Sequence, residues 1–282
     1  MSRHIGIVMD PIDTINPKKD STFAMMLAAA RKGWRISVMT LSNLSLRQDQ
    51  FWARYQTITV QDDPNHYYDL VSDHEGGPEA FDVILMRKDP PFNMDYIYAT
   101  YLLEFAERAG VPVFNRPGSI RDCNEKLFAL QFSNCIPDLI VTSEADQLRS
   151  FQEEHGDVIL KPLDGMGGAS IFRIRPGDTN RNVIIETLTQ LGHQKIMAQR
   201  YLPEISQGDT RILLINGEPV PFGLARIPSA GETRGNLAAG GSGVARPLTD
   251  RDRWICDQVG PVLRDKGLVF VGIDVIGDYL TE

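Results

Sequence analysis

Apolar positions along the chain recur with two periods, and the alternation between them predicts an α/β protein. The run Ile5 to Met9 predicts a buried strand, followed by a helix capped at Asp20 or Ser21. Phe23, Met26, Leu27 and Ala30 fall on one face of that helix, and Gly33 ends it before a second strand over Ile36 to Leu41. The same unit recurs from a strand over Val83 to Met86, through a helix over Tyr96 to Arg108 stopped at Gly110, to a strand over Val111 to Phe114. Residues 1 to about 120 are therefore expected to form one doubly wound lobe.

The second half changes character. A strand over Leu139 to Thr142 and a helix over Glu144 to His155 lead to a strand over Val158 to Lys161 that runs straight into glycines. Further strands are expected at Ser170 to Ile174, Lys195 to Tyr201 and Arg211 to Ile215, with a hairpin turn at Gly217-Glu218 after Asn216. These short, turn-linked strands point to antiparallel pairing. The glycine-rich stretch Ile227 to Arg246 has almost no apolar period and predicts a long, mobile lid-like loop. A helix over about Asp250 to Lys266 and an apolar strand, Leu268 to Ile276, complete the pattern.

Composition narrows the class. At 282 residues, 42% hydrophobic and with a formal net charge of −8, the chain can bury a core in one large or two to three small domains, and its charge disfavours nucleic-acid binding. The amino terminus offers only a five-residue apolar run before Asp10, too short for a secretion signal or a membrane span, so a cytoplasmic setting is expected. Cys123, Cys135 and Cys256 are widely spaced, with no pattern of a disulfide framework or zinc site, and are expected to be buried or idle thiols.

The sharpest chemical signal is the segment Lys161 to Ser170, in which a strand ends in a lysine and opens into Gly165, Gly167 and Gly168. Glycine allows the close backbone approach that a phosphate cradle needs, and a lysine adds a point charge. The order of residues differs from a P-loop, where the lysine follows the glycines, and no GxGxxG dinucleotide pattern occurs. Taken alone, the segment fits a glycine-rich hairpin turn as well as a phosphate loop.

The stretches GIVMDPI (Gly6 to Ile12), ILMRKDPPF (Ile84 to Phe92), RDCNEKLF (Arg121 to Phe128), ILKPLDGMGGASIFR (Ile159 to Arg173), GETRGNLAAGG (Gly231 to Gly241) and VGIDVIGDYLTE (Val271 to Glu282) span nearly the whole chain. Through them it resembles the ATP-grasp ligases, and closely the bacterial glutathione synthetases. The resemblance implies an amino-terminal doubly wound lobe on the substrate side (1–121), then two α+β lobes clasping ATP. These are a central ATP-grasp lobe (122–200) and a carboxy-terminal catalytic lobe (201–282) with its lid at about 227–246. It further implies a homo-oligomer, with ATP, γ-glutamylcysteine and glycine as substrates.

The resemblance also assigns roles. Lys126 and Lys161 grasp the nucleotide phosphates with the loop glycines Gly165, Gly167 and Gly168, and the segment around Gln199, Tyr201 and Leu202 meets the adenine. On residue pattern alone Lys126 is an ordinary solvated helix lysine. Arg211, Arg226 and Arg234 are the candidates for stabilising charge on the transferring groups, Arg226 matching a family active-site position. By their place in the sequence, Arg234 and Asn236 within the glycine-rich loop are expected to close over substrate, and Arg87 at the carboxyl end of a buried strand to bind a substrate carboxylate. For Arg87 and its neighbour Lys88, a salt bridge within the lobe is as consistent with the sequence.

Asp274 and Glu282 match the carboxylates that hold Mg²⁺, with Mn²⁺ as a substitute. Side chains alternate along strands, so placing both on one face calls for a three-residue loop, Gly277-Asp278-Tyr279, and excludes direct pairing of Ile276 with Tyr279. The family pattern continues past Glu282 with an Asn metal ligand and a small-residue segment near glycine, and catalysis depends on whether the chain supplies them. Ligases of the D-alanine type would be expected to lack the RKDPPF and GETRGNLAAGG stretches. A nucleotide-binding module without catalysis is the other class, against which Asp274 and Glu282 speak.

Overall fold

A computed structural model of the chain describes residues 2–165, 167–229, 235 and 240–282. Two compact units divide it, Met1–Asp122 and Cys123–Glu282.

In the first unit, β1 (His4–Val8), α1 (Ser21–Arg31) and β2 (Arg35–Met39) are followed by β3 (Leu44–Arg47), β4 (Gln50–Val60) and β5 (Tyr68–Gly76). Then come β6 (Val83–Met86), α2 (Met94–Arg108), β7 (Val113–Phe114) and the short α3 (Pro117–Asp122). The strands β2, β1, β6 and β7 are parallel neighbours, as the βαβ pattern requires. Side-chain alternation gives the sheet two apolar faces. Ile5 and Ile7 pack with Phe23, Met26 and Ala29 of α1, while Val8, Ile84 and Met86 pack with Ala99, Leu103 and Ala106 of α2. The cap of α1 is Asp20, whose side chain accepts from the Phe23 N–H at 2.8 Å.

Residues 44–76, unassigned from sequence, form the antiparallel extension β3-β4-β5. Their apolar alternation is broken: β5 exposes Leu70 and Val71, so no face stands out until β4 pairs with β2.

The second unit holds two antiparallel sheets. The first, in the order β10-β9-β11-β8, contains β8 (Leu139–Thr142), β9 (Val158–Pro162), β10 (Phe172–Ile174) and β11 (Ile196–Arg200). Leu148 of α5 (Ala145–His155) and Ile185 and Leu188 of α6 (Arg181–Leu188) close its core over Val158, Leu160, Ile174 and Ala198. The small helix α4 (Glu125–Ala129) precedes these elements. The second sheet, β15-β14-β12-β16-β17, contains β12 (Asp209–Ile215), β14 (Phe222–Ile227), β15 (Ser242–Pro247), β16 (Phe270–Ile276) and β17 (Tyr279–Leu280). The two-residue strand β13 (Glu218–Pro219) also pairs with β12. Helix α7 (Asp250–Asp265) starts at a capping box between Thr249 and Asp252 and buries Ile255, Cys256, Val259 and Leu263. No helix among the described residues is long and apolar enough to cross a membrane.

Three local expectations are corrected. The hairpin turn is Asn216-Gly217, because Ile215 pairs with Glu218, and both turn residues have the positive φ (52° and 80°) of the tight turn favoured between antiparallel strands. A Cβ on Gly217 would meet the Gly260 carbonyl at 2.5 Å, so this turn sits hard against α7. The loop expected over 227–246 is shorter, since Ser242–Pro247 is strand β15; being a mostly exposed edge strand, it shows no apolar period in sequence. Finally, Ile276 does pair with Tyr279, so the loop before β17 has two residues, not three.

Candidate active site

The site grows out of the glycine-rich turn. Strand β9 places Lys161 between Leu160 and Pro162, and the chain then reverses into β10 through Gly165, Gly167 and Gly168, with φ of 102°, 70° and 77°. Only glycine takes these values freely, so the segment is a hairpin turn whose backbone can also approach a ligand closely. Asn124 ties α4 to it. Its side-chain carbonyl accepts from the Lys126 and Leu127 N–H groups at 3.0 Å while its amide donates to the Leu163 carbonyl at 2.9 Å. That cap turns Lys126 inward. The lysine expected from pattern to be solvated is 3% exposed.

One cavity gathers Lys126, Lys161, Gly165, Gly167, Gly168, Gln199, Tyr201, Leu202, Asp274 and Glu282, ten of the residues singled out from sequence. Its apolar wall consists of Ile159, Ile171, Leu202, Ile205 and Ile276. Gln199 is 4% exposed and its carbonyl oxygen has no hydrogen-bond partner among the described residues. Such an atom costs stability unless a ligand satisfies it. Tyr201 is held at both ends: its N–H donates to the Asp157 carbonyl at 2.9 Å, and the Arg173 guanidinium lies 3.5 Å over its ring. Apolar wall, ring edge and unsatisfied amide together suit a flat heteroaromatic base.

Beside that wall lie the charges. The Lys126 and Lys161 ammonium groups approach the same Glu282 oxygen at 3.4 and 3.7 Å, and Lys126 also reaches Glu125 at 3.0 Å. Burial depresses the Lys161 ammonium pKa below the ordinary lysine value, with Glu282 opposing the shift and Lys126 adding to it. At Lys126 the attraction of Glu282 and Glu125 outweighs burial and raises the pKa.

The second sheet contributes a four-residue patch set by strand register. Asp209 and Arg211 are two apart on β12 and so share a face; Arg226 pairs across from Asp209, and Asp274 across from Arg211. Arg211 grips Asp274 through two nitrogens, the Nη2 contact being 2.9 Å, and Arg226 bridges Asp209 and Asp274, the latter at 2.9 Å. Burial pushes the Asp274 carboxyl up, but the two guanidinium groups hold it below the usual carboxylate range. Burial and the neighbouring Asp274 charge push Asp209 the other way, above that range. One Asp209 oxygen is buried without a partner among the described residues.

Asp209 was not anticipated. Its only sequence signal is the polar-Thr-polar start of an otherwise apolar strand, Asp209-Thr210-Arg211, which marks a charged face at a strand end. Arg211 and Arg226 thus enter as partners of the cavity's carboxylates. Arg87 belongs to the first unit, at the carboxyl end of β6, and donates to Thr22 and Ser21 at 3.0 Å each, while Lys88 pairs with Asp10 at 2.9 Å. Arg234 and Asn236 lie outside the described residues.

Asp274 and Glu282 reach the same cavity despite the two-residue turn. The Asp274 N–H donates to the Glu282 carbonyl and the Thr281 N–H donates to the Asp274 carbonyl, each at 2.8 Å. Two residues therefore oppose one, the pattern of a β-bulge, which breaks the alternation that the three-residue loop was meant to correct. No cluster of three or more His, Cys, Asp or Glu side chains is gathered for a metal among the described residues. Two hard carboxylates beside a phosphate-sized cationic pocket nevertheless suit Mg²⁺, which takes few protein ligands and completes its shell with waters and phosphate oxygens.

Solved ATP-grasp ligases share this fold. A D-cycloserine synthetase superposes with a TM-score of 0.66 at 13% identity, over 99% of this chain and 90% of that one. A RiPP-associated ATP-grasp ligase from Chryseobacterium gregarium, solved with ADP and a leader and core peptide, gives 0.61 at 13% identity, over 100% of this chain and 88% of that one. The fold is therefore that of the ATP-grasp ligases. Residues 4–121 match the amino-terminal domain of prokaryotic glutathione synthetase and residues 125–282 its ATP-grasp domain, so the chain belongs to the prokaryotic glutathione synthetase family. Curated relatives agree. The glutathione synthetases of Pseudomonas syringae pv. tomato and Pseudomonas aeruginosa are each 60% identical over 100% of this chain, covering 88% and 89% of their own lengths. That of Vibrio vulnificus is 56% identical over 99% of this chain and 87% of its own.

Proposed function

We propose that the chain is an ATP-dependent carboxylate–amine ligase that makes glutathione from γ-glutamylcysteine and glycine. The observation that carries the site assignment is the convergence of Lys126, Lys161 and Glu282 with the apolar wall in one cavity, a layout suited to a nucleoside triphosphate. The base lies between the Ile159 and Leu202 walls with Gln199 at its edge, and the phosphates lie on the glycine turn.

Bound phosphates offer the two buried lysines better counter-charges than the shared Glu282 oxygen. Glu282 and Asp274 are the residues that would hold Mg²⁺, which would supply charge neutralisation to the phosphate oxygens. The γ-phosphoryl group passes to a carboxylate oxygen of γ-glutamylcysteine, breaking its bond to the β-phosphate oxygen and leaving ADP. Glycine's amine then adds to the acyl carbon, and the amide forms as phosphate departs and the amine gives up its protons. Charge builds on the phosphoryl group and then on the tetrahedral carbon's oxygen, and Arg211 and Arg226, paired with Asp274 and Asp209 of the cavity lining, are the groups assigned to stabilise it. Arg234 and Asn236, from their place in the glycine-rich loop, and Arg87, from the carboxyl end of β6, are assigned to substrate. A need for ATP and three cysteines that form no disulfide among the described residues fit a cytoplasmic setting.

Phosphate release from ATP and Mg²⁺ tests this, with γ-glutamylcysteine, glycine, or both, and with D-alanine as a competing acid. Release that needs both and yields stoichiometric glutathione is expected. Release with D-alanine alone, or none with both substrates, overturns it.

A further inference from the structure

Strand β16 carries a glycine at its centre, Gly272, where the backbone gives no reason for one: its φ lies outside the left-handed region, and glycine weakens a strand interior. The reason lies across the sheet. Arg211 lies directly opposite Asp274, and Gly272, opposite Leu213, is its diagonal neighbour on the same face, where the Arg211 stem lies over it. A Cβ at Gly272 would sit 2.7 Å from Arg211 Cδ, 3.1 Å from Nη1 and 3.2 Å from Nε. The closest of these is a stem atom with the two-nitrogen grip on Asp274 fixed beyond it, so a small shift of the tip cannot relieve the clash.

We infer that Gly272 is a positioning residue for the ligase reaction, the seat that lets Arg211 lie flat on β16 and hold Asp274 in the cavity; this rests on the ligase reading above. Any side chain at 272 lifts the guanidinium and loosens the carboxylate, while both lysines and all of the base wall but Ile276, lying on other elements, stay in place.

A double-mutant cycle tests it, with wild type, Gly272→Ala, Arg211→Ala and the double variant compared in ligase turnover and thermal unfolding. Gly272→Ala is expected to lower kcat by about 10²-fold, the scale of an ångström-sized displacement, with KM for ATP unchanged. In the Arg211→Ala background, where the stem is gone, the added alanine is expected to cost nothing further in kcat or in Tm. Equal losses in both backgrounds, no loss in either, or a rise in KM for ATP with kcat intact would overturn it. If wild type lacks ligase turnover, the functional reading fails, and the Tm cycle alone decides the seat: a penalty absent without the Arg211 stem supports it, and one that persists sinks it.

Discussion

Two cationic pairs in the second unit are neutralised in opposite ways. Lys126 and Lys161 share one oxygen of Glu282 within the cavity, with Glu125 half-exposed outside its lining. Arg211 and Arg226 face two carboxylates, Asp209 and Asp274, in a closed cross-strand patch. Within the cavity the lysine side has one carboxylate for two ammonium groups, Glu125 pairing with Lys126 from outside the lining, and it is suited to receive phosphates, because a compact ammonium can exchange one oxygen for another. The arginine side is balanced in formal charge and suited to staying still, because Arg211 is held through two nitrogens and so fixed in direction as well as position, and Arg226 is pinned between two carboxylates.

The contrast can be broken most severely at Arg226. Arg226→Ala is expected to lower kcat by about 10²–10³-fold, the scale for one preorganised charge stabiliser, measured by steady-state phosphate release. Near-normal turnover would place catalysis elsewhere. On the lysine side the signs should separate. Lys161→Met is expected to raise KM for ATP by about tenfold or more through loss of a charge-assisted contact. It should also raise Tm, because a fully buried cation with a depressed pKa is replaced by an apolar side chain of similar volume. A fall in both ATP affinity and Tm would show that Lys161 is structural.

Glu282→Gln sharpens the same point more gently. Two buried ammonium groups lose their shared counter-charge, and since Glu282 is partly exposed the loss is about 1 kcal/mol, or about 2–4 °C in Tm. ADP should restore much of it, whereas restoration by a neutral nucleoside would argue against the charge account. The smallest effect is a pH dependence. Asp209 has a folded-state pKa raised above its unfolded 3.8, so the stability it contributes is fully present below that value and is lost as pH rises through the raised one. Relative to Asp209→Asn, wild type should therefore lose Tm as pH rises from about 4 to about 8. A gap that widens in wild type's favour would reverse the assignment.

How far the site was legible depended on how local its determinants were. Lys161 stood out because a strand, a lysine and three glycines are consecutive, and the glycines' positive φ is a property of that short segment. Lys126 looked like any helix lysine, and its burial comes from the Asn124 link to Leu163, 39 residues away. Alternation along β16 and β17 predicted a three-residue loop that is not there, because alternation cannot register a bulge. Strands β3 to β5 escaped notice because the sheet that selects their faces is built from other parts of the chain.

By itself, then, the sequence determined the strand–helix rhythm of the first unit, a cap at Asp20 or Ser21, the glycine turn beside Lys161 and the family resemblance. Each of these depends on neighbours in the chain or on a long string of matching residues. Only the tertiary structure decided that Lys126 turns inward, that Asp209 joins Arg226, that a bulge brings Glu282 to the cavity with Asp274, and that Gly272 leaves room for Arg211. Those are matters of register and close contact between strands far apart in sequence, and one-dimensional pattern carries no record of which residue lies across the sheet from which.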